Sequence, residues 1–404
     1  MTVVEPVRAP GTTARTTWFP LLDTLRAVGA VAVLTTHTAF WAGTYTGHGW
    51  FGSLLARLDV GVALFFVLSG FLLARPHLLA ATEGRSRPST ATYLSRRFWR
   101  ITPLAVLAVG IALVLLHDNR DLTAGERIAA LTLTSSYVGG VYPAGITHLW
   151  SLGVEVAFYV VLPLLMLVGL GRSRTGTGLA TPRGRRRVGL LLAVMAGASV
   201  AWYLVGVERV SAGSPTEWLP GFLSWFAVGI GLAFLSVLDA TDRGGRVTAA
   251  ARSLARQPGA CWTIAAGLLL VGATPLAGPT MLAPLSPTEH VVKNLLYAVV
   301  AGLVVLTGVF PSTPGYARLL GNRFARRVGV VSYGIFCLHL PILHGVMFVT
   351  GWELFGGHLL GIWALTLVLS YGAAELAYRW VEAPAQRFAR RSSPTVPSPP
   401  VSVT

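Results

Sequence analysis

The chain has 404 residues, of which 53% are hydrophobic and only 12% charged, with a mean hydropathy of +0.63 and a net charge of +16. A soluble globular protein carries about twice that share of charge, and unbroken apolar runs rather than ten-residue alternation exclude an outer-membrane barrel. All but one of the 32 basic residues are arginine, but they fall between apolar segments in alternate loops, which is a topology pattern and not a nucleic-acid surface.

Ten apolar segments follow in chain order: Leu21–Trp41, Val60–Leu73, Ile101–Leu116, Leu149–Val168, Val188–Val205, Leu219–Val237, Ala260–Ala273, Val291–Val309, Val328–Val349 and Leu359–Val381. They approach or exceed the ~18 to 20 residues that cross a bilayer. The stretch Ile128–Val138 is too short and is expected at the surface or as a re-entrant piece. With the N-terminus inside, the inner segments hold 26 basic residues and the outer loops five: Arg57, Arg120, Arg127, Arg209 and Lys293. Arg26 is the one left over, inside the first helix. The sequence therefore predicts an all-α, polytopic membrane protein of about ten helices, with both termini cytoplasmic. Residues 1–18 read as a cytoplasmic segment with no removable signal, residues 19–391 as the membrane domain, and the Pro/Ser-rich tail 392–404 as disordered. The loop from Gly171 to Arg187, rich in Gly, Thr and Arg, reads as flexible and cytoplasmic. Cys261 and Cys337 both lie in apolar segments and suggest neither a disulfide nor a metal site.

The chemistry-bearing residues sit inside or beside these segments. In LLDTLRAVGAVAVLTTHTAF, Arg26 and His37 are eleven positions apart, which returns a helix to within about 20° of the same face and advances it roughly 16 Å. Asp23 is an i,i+3 partner for Arg26. Histidine is the usual base for a hydroxyl proton near neutral pH, although a buried histidine bonded to a neighbouring backbone group or to Thr36 or Thr38 is the plainer alternative. In DVGVALFFVLSGFLLARP, Asp59 opens the segment, Ser69-Gly70 suggests close helix packing, and Arg75-Pro76 stands at the exit. In YLSRRFWRITP, Arg96, Arg97 and Arg100 read as a helix N-terminus suited to phosphate or to anionic lipid. In THLWSLGVEVAFYVVLPLL, Glu155 needs a partner in its apolar helix. SYGIFCLHLP places His339 late in the chain. In ELAYRWVEAPAQR, Glu375, Arg379 and Glu382 are expected to pair at a helix end.

Taken in order, six of these strings resemble the bacterial acyltransferase-3 family of membrane-bound O-acyltransferases, over roughly Leu21 to Arg390. They are LDTLRAVGAVAVLTTH, GVALFFVLSGFLLARP, RRFWRITPLAVL, HLWSLGVEVAFYVVLPLL, SYGIFCLHLP and YRWVEAPAQR. The resemblance implies acyl transfer, commonly of acetyl, from a coenzyme A thioester to a sugar hydroxyl. It implies His37 as catalytic base, Arg26 as a functional partner, and Arg96, Arg97 and Arg100 near the donor phosphates. Glu155 matches the first Glu of the family motif; Val156, Ala157 and Ala63 stand where many members carry Glu, Gln and Asp.

Together these readings give His37, Glu155 and Asp23 as candidate catalytic groups. Arg26, Ser69, Arg75, Arg96, Arg97, Arg100, Trp150 and His339 are candidates for binding acyl-CoA or acceptor. No metal, no bound cofactor and no nucleic-acid partner is expected; acyl-CoA is the cosubstrate, a carbohydrate or glycoside the acceptor, and the bacterial cytoplasmic membrane the location. The competing class is a multi-helix transporter of a small polar or anionic solute, although no pair of similar halves is visible.

Overall fold

The computed structural model describes residues 19–171, 179, 181–280 and 283–391. The expected N-terminal segment, the Pro/Ser-rich tail and much of the Arg-rich loop after Gly171 lie outside the described residues. Thirteen helices carry the description: α1 Pro20–Trp41, α2 Val60–Glu83, α3 Thr90–Leu115, α4 Trp150–Leu170, α5 Pro182–Ala201, α6 Leu219–Ala240, α7 Arg246–Ala255, α8 Pro258–Gly272, α9 Pro287–Val309, α10 Arg323–Val330, α11 Ser332–Thr350, α12 Leu359–Ala377 and α13 Ala383–Arg391. Their starts follow from local chemistry. Proline occupies the first turn of α1, α5, α6, α8 and α9, where its missing N–H costs nothing. Ser286 and Glu289 form a capping box on α9, and Ser89 caps α3.

Among the described residues, eight helices are long and apolar enough to cross a membrane. The pair α7 and α8, bent by 87°, makes a ninth if it is one span. Helix α1, at 22 residues, has the length, but Asp23, Arg26, His37 and four threonines dilute its hydropathy. These ten correspond to the ten segments, and the chain is an all-α, polytopic membrane protein. The stretch after Ile128 forms only the short helices Ala124–Leu131 and Ser135–Val138.

Two segment limits need correction. The second helix does not end near Leu73. Leu78, Leu79, Ala80 and Ala81 are also apolar and buried, so the helix runs through Pro76 to Glu83, and Arg75 is mid-helix rather than at an exit. Likewise α3 begins at Thr90, so Arg96, Arg97 and Arg100 lie beyond the free N–H groups of its first turn.

Despite its polarity α1 is central, packing on α2, α9, α10, α11 and α12. The most extensive helix pair is α2 with α6. A Cβ on Gly70 would stand 2.5 Å from the Phe226 carbonyl oxygen, and one on Gly229 would press still closer on the Val67 carbonyl. Small residues let backbones approach where no hydrophobic effect drives helices together. Beside this seam Phe226 stacks on Phe66 at 4.7 Å and on Phe158 of α4 at 3.8 Å.

Gly229→Ala should destabilise the detergent-solubilised protein by about 1–3 kcal/mol, the range for overpacking a tight contact. Gly267→Ala, whose Cβ meets nothing within 4 Å, should leave the melting temperature unchanged or raise it.

Candidate active site

Three hollows share walls. The first, at the start of α3, is lined by Arg96, Arg97, Arg100, Gln386 and Arg390 and has a volume of about 720 Å³. Helix α13 forms its far wall, held against α3 by Trp99 edge-on to Phe388 at 4.9 Å. Arg97 and Arg100 also line a second cavity of about 730 Å³, together with Arg26, Ser69, Glu155 and Tyr159. Val62 and Phe336 then divide this arginine cavity from a third, of about 990 Å³, which holds His37, His148, Trp150, Asp59 and Lys293.

The arginine cavity collects residues from five helices, α1, α2, α3, α4 and α11. Arg26 of α1 is held by Asp23 at 3.3 Å. Glu155 of α4 accepts from the Tyr159 hydroxyl at 2.7 Å and from Ser69 of α2. The close-packing reading of Ser69-Gly70 is realised by Gly70, which makes the backbone contact, while Ser69 on the neighbouring face donates to Glu155. Nε of Arg97 is buried without a hydrogen-bond partner among the described residues, so a donor is left over for a ligand.

His37 is bonded neither to Thr36 nor to Thr38. Thr36 hydrogen-bonds Tyr45 and donates to the Ala56 carbonyl, and Thr38 donates to the Thr35 carbonyl. His37 bonds the Val33 backbone one turn back in α1, and its Nδ1 lies 2.9 Å from Nε2 of His339 on α11. Nδ1 of His339 faces the Phe336 carbonyl at 2.7 Å and the Ile335 carbonyl at 3.2 Å. A carbonyl only accepts, so His339 carries its proton on Nδ1. In the neutral pair Nε2 of His339 is then an acceptor, His37 donates from Nδ1, and Nε2 of His37 keeps a free lone pair. The tautomers are assigned from this hydrogen-bond network. His148 is 4% exposed, and its ring stands 4.5 Å from that of His339 and 6.0 Å from that of His37.

On the far side of His37, Arg57 is 2% exposed, its guanidinium donating to the Gly272, Ala277 and Gly278 carbonyls. Lys293 bonds Asp59 at 2.7 Å, and the Tyr297 hydroxyl donates to the same carboxylate.

Arg26, Ser69, Arg97, Arg100 and Glu155 thus share one cavity. His37 and Trp150 line the next, Arg96 lines only the surface hollow, Asp23 reaches the cavity through Arg26, and His339 stands behind His37. Arg75 belongs elsewhere: it donates to Ser236 at 3.3 Å, lies 5.0 Å from the Phe19 ring centroid, and lines a hollow between α2, α6 and α9. The extra turns of α2 carry it there. The terminal group also needs correction. Glu375 does pair with Arg379 at 3.9 Å, but its closest partner is Arg327 of α10, with Nε at 2.7 Å. Glu382 is not in that pair; the π-helical turn Tyr378–Glu382 rotates it inward, where it is 4% exposed and one oxygen has no partner.

Sequence reading did not weigh His148, Tyr159, Arg57 or Lys293 as site residues. Tyr159 was visible as the i+4 neighbour of Glu155. Arg57 and Lys293 read as outer-loop charges in the sequence, and nothing local marks them as cavity walls.

A family model described as an acyltransferase domain matches residues 19–378. A Bacillus subtilis protein carried provisionally under the name peptidoglycan O-acetyltransferase YrhL is 25% identical over 392 residues, covering 93% of this chain and 56% of its own length. Peptidoglycan O-acetyltransferase OatA of Listeria monocytogenes is 31% identical over 169 residues, covering 38% of this chain and 25% of that protein. Acyltransferase MdmB of Streptomyces mycarofaciens is 32% identical over 156 residues, covering 36% and 38%. The chain therefore spans about half the length of the first of these relatives and less of the others. No solved structure matches the chain. With the family model spanning most of the sequence and Arg, Glu and His side chains grouped in adjoining cavities, the chain belongs to the acyltransferase-3 family and is a multi-pass membrane protein.

Proposed function

We propose that the protein transfers an acyl group, commonly acetyl, from acyl-CoA to a hydroxyl of a carbohydrate or glycosylated natural product, in the bacterial cytoplasmic membrane, with His37 as general base. What supports this reading most is the hydrogen-bond chain from the Phe336 carbonyl through His339 to His37. It leaves a basic lone pair on a ring in the cavity next to one lined by three arginines. Arginine forks suit phosphate, so Arg96, Arg97 and Arg100 bind the donor nucleotide at the surface hollow. The thin pantetheine arm runs along the arginine cavity toward Val62 and Phe336, with Arg26 and Glu155 orienting it. No bound cofactor takes part; acyl-CoA is consumed as cosubstrate.

The reaction is direct transfer. Nε2 of His37 removes the acceptor hydroxyl proton as the oxygen attacks the thioester carbonyl. The C–S bond breaks, an ester forms, and the imidazolium returns the proton to the CoA thiolate. His339 is a positioning residue: it accepts from Nδ1 of His37, fixes the ring, and stabilises the imidazolium as it forms. Ser69 is committed to Glu155 and is not a nucleophile. The names of the relatives support peptidoglycan-type glycans as one acceptor class, and small glycosides fit the same chemistry.

His37→Ala should lower CoA release from acetyl-CoA, measured with membranes and a glycan or glycoside acceptor, by on the order of 10²–10⁴-fold, without loss of inserted protein. Undiminished turnover in that variant would sink the mechanism, and solute accumulation in vesicles without thioester consumption would favour a transporter. Arg97→Ala and Arg100→Ala should raise the donor KM by about 10–100-fold, the scale of one charged hydrogen bond, and leave the acceptor KM unchanged. His339→Gln keeps an oxygen in reach of His37 Nδ1, whereas His339→Asn does not. The Gln variant should retain kcat within about ten-fold, and the Asn variant should lose up to about 10⁴-fold, the scale of a wrong tautomer in a serine protease, with KM unchanged in both. Equal losses, or a change confined to KM, would remove the positioning role.

A further inference from the structure

The hollow that Arg75 lines shares no residue with the cavities of His37 and Glu155. Its volume is about 1350 Å³. The start of α1, the late turns of α2 and α6, the end of α9 and part of α10 wall it, all on the inner, arginine-rich side. Among the described residues, Arg75 and Arg326 line it against one carboxylate, Asp239. Asp239 also meets Arg252 at 3.2 Å, and Glu83, the next carboxylate along α2, meets Arg85. Arg75 is 8% exposed; its Nε donates to Ser236 and its guanidinium lies against the Phe19 ring, which recesses the fork at a fixed place. On the same wall the Ser312 hydroxyl is buried without a hydrogen-bond partner among the described residues. Guanidinium forks and a hydroxyl donor suit the oxygens of a phosphate.

The depth of the hollow says which phosphate. Between α9 and α11 the chain forms two short helices, Pro314–Leu320 of 7 residues and α10 of 8, far too short to cross a bilayer. Each carries a large apolar side chain outward, Leu319 at 67% and Phe324 at 71% exposure, next to Arg318 and Arg323. Short helices that mix outward apolar groups with arginine lie in the bilayer interface, the apolar groups at the acyl boundary and the cations among the headgroups. Ala317 and Arg326 of these two helices line the hollow, so it sits at headgroup level. Basic hollows between helices at an inner membrane face take anionic lipid headgroups.

We infer that this hollow binds the headgroup of an anionic phospholipid, with Arg75, Arg326 and Ser312 on its phosphate and the acyl chains leaving past Leu319 and Phe324. A zwitterionic lipid carries the same phosphate, but its ammonium brings a cation toward the two arginines and binds more weakly. The bound lipid ties the start of α1 to α2, α6, α9 and α10, so it stabilises the folded bundle by mass action. The site is independent of the His37 chemistry and stands whether or not that residue is a base.

Native mass spectrometry and thermal melting of the full chain in detergent would compare phosphatidylglycerol, phosphatidylcholine and soluble glycerol 3-phosphate. Wild type should retain phosphatidylglycerol about ten-fold or more tighter than phosphatidylcholine, the scale of one charged hydrogen bond, and only phosphatidylglycerol should raise its Tm. Arg75→Met and Arg326→Met should each weaken retention by about ten-fold or more and remove the rise in Tm. Ala317→Trp, which fills the hollow and keeps both arginines, should do the same. Arg186→Met, which removes an exposed arginine of α5 outside the hollow, should match wild type. If Arg75→Met fails to fold, Arg326→Met and Ala317→Trp carry the comparison. Equal retention of the two lipids, retention unmoved by both Arg326→Met and Ala317→Trp, or an equal loss in Arg186→Met would overturn the inference. An equal rise in Tm with glycerol 3-phosphate alone would overturn the lipid assignment in favour of a free phosphate ester.

Discussion

A polar atom inside hydrocarbon has no water to satisfy it, so each needs a protein partner. The His37–His339 hydrogen bond meets that demand for two imidazoles inside the helix bundle, and much of the architecture follows from it. Helices α1 and α11, far apart in sequence, are held in register there. His339 is anchored by carbonyls of its own helix, so the proton positions of both rings are set by backbone geometry. The same need, applied to Glu155, brings Ser69 and Tyr159 together, and applied to Arg57 it fixes the turn after α8.

The tight seam between α2 and α6 complements this polar chain. It packs the apolar half of α2 against Phe226 and leaves the Ser69 face free to meet α4. One helix thus serves as packing surface on one side and cavity wall on the other. Val62, near the start of α2, and Phe336 form the divide between a chamber with three arginines against Glu155 and one with Arg57 and Lys293 against Asp59.

The legible parts of the site were those carried by one helix. Arg26 and His37 share a face by helical periodicity alone, and Glu155 is conspicuous because a carboxylate in an apolar run needs a partner. Six strings in order sufficed to indicate the family. Arg75 was misread because an Arg-Pro pair resembles a helix exit, while the apolar residues beyond it continue the helix. Glu382 was misread because a π-helical turn changes the face on which a residue emerges, and periodicity of 3.6 does not anticipate that. Arg57 and Lys293 were indistinguishable from topology charges, since their carbonyl and carboxylate partners lie more than two hundred residues away.

Hydropathy and the alternation of arginine by themselves determined the class, the approximate number of crossings and the helix faces bearing polar groups, because those depend on properties summed along a segment. Tertiary structure alone decided that His37 is paired with His339 rather than with a threonine. It also decided that three arginines share one cavity while a fourth does not, and that Arg57 and Lys293 line the cavity of His37. Those outcomes depend on which helices are neighbours, and on hydrogen-bond directions between them, which no local pattern encodes.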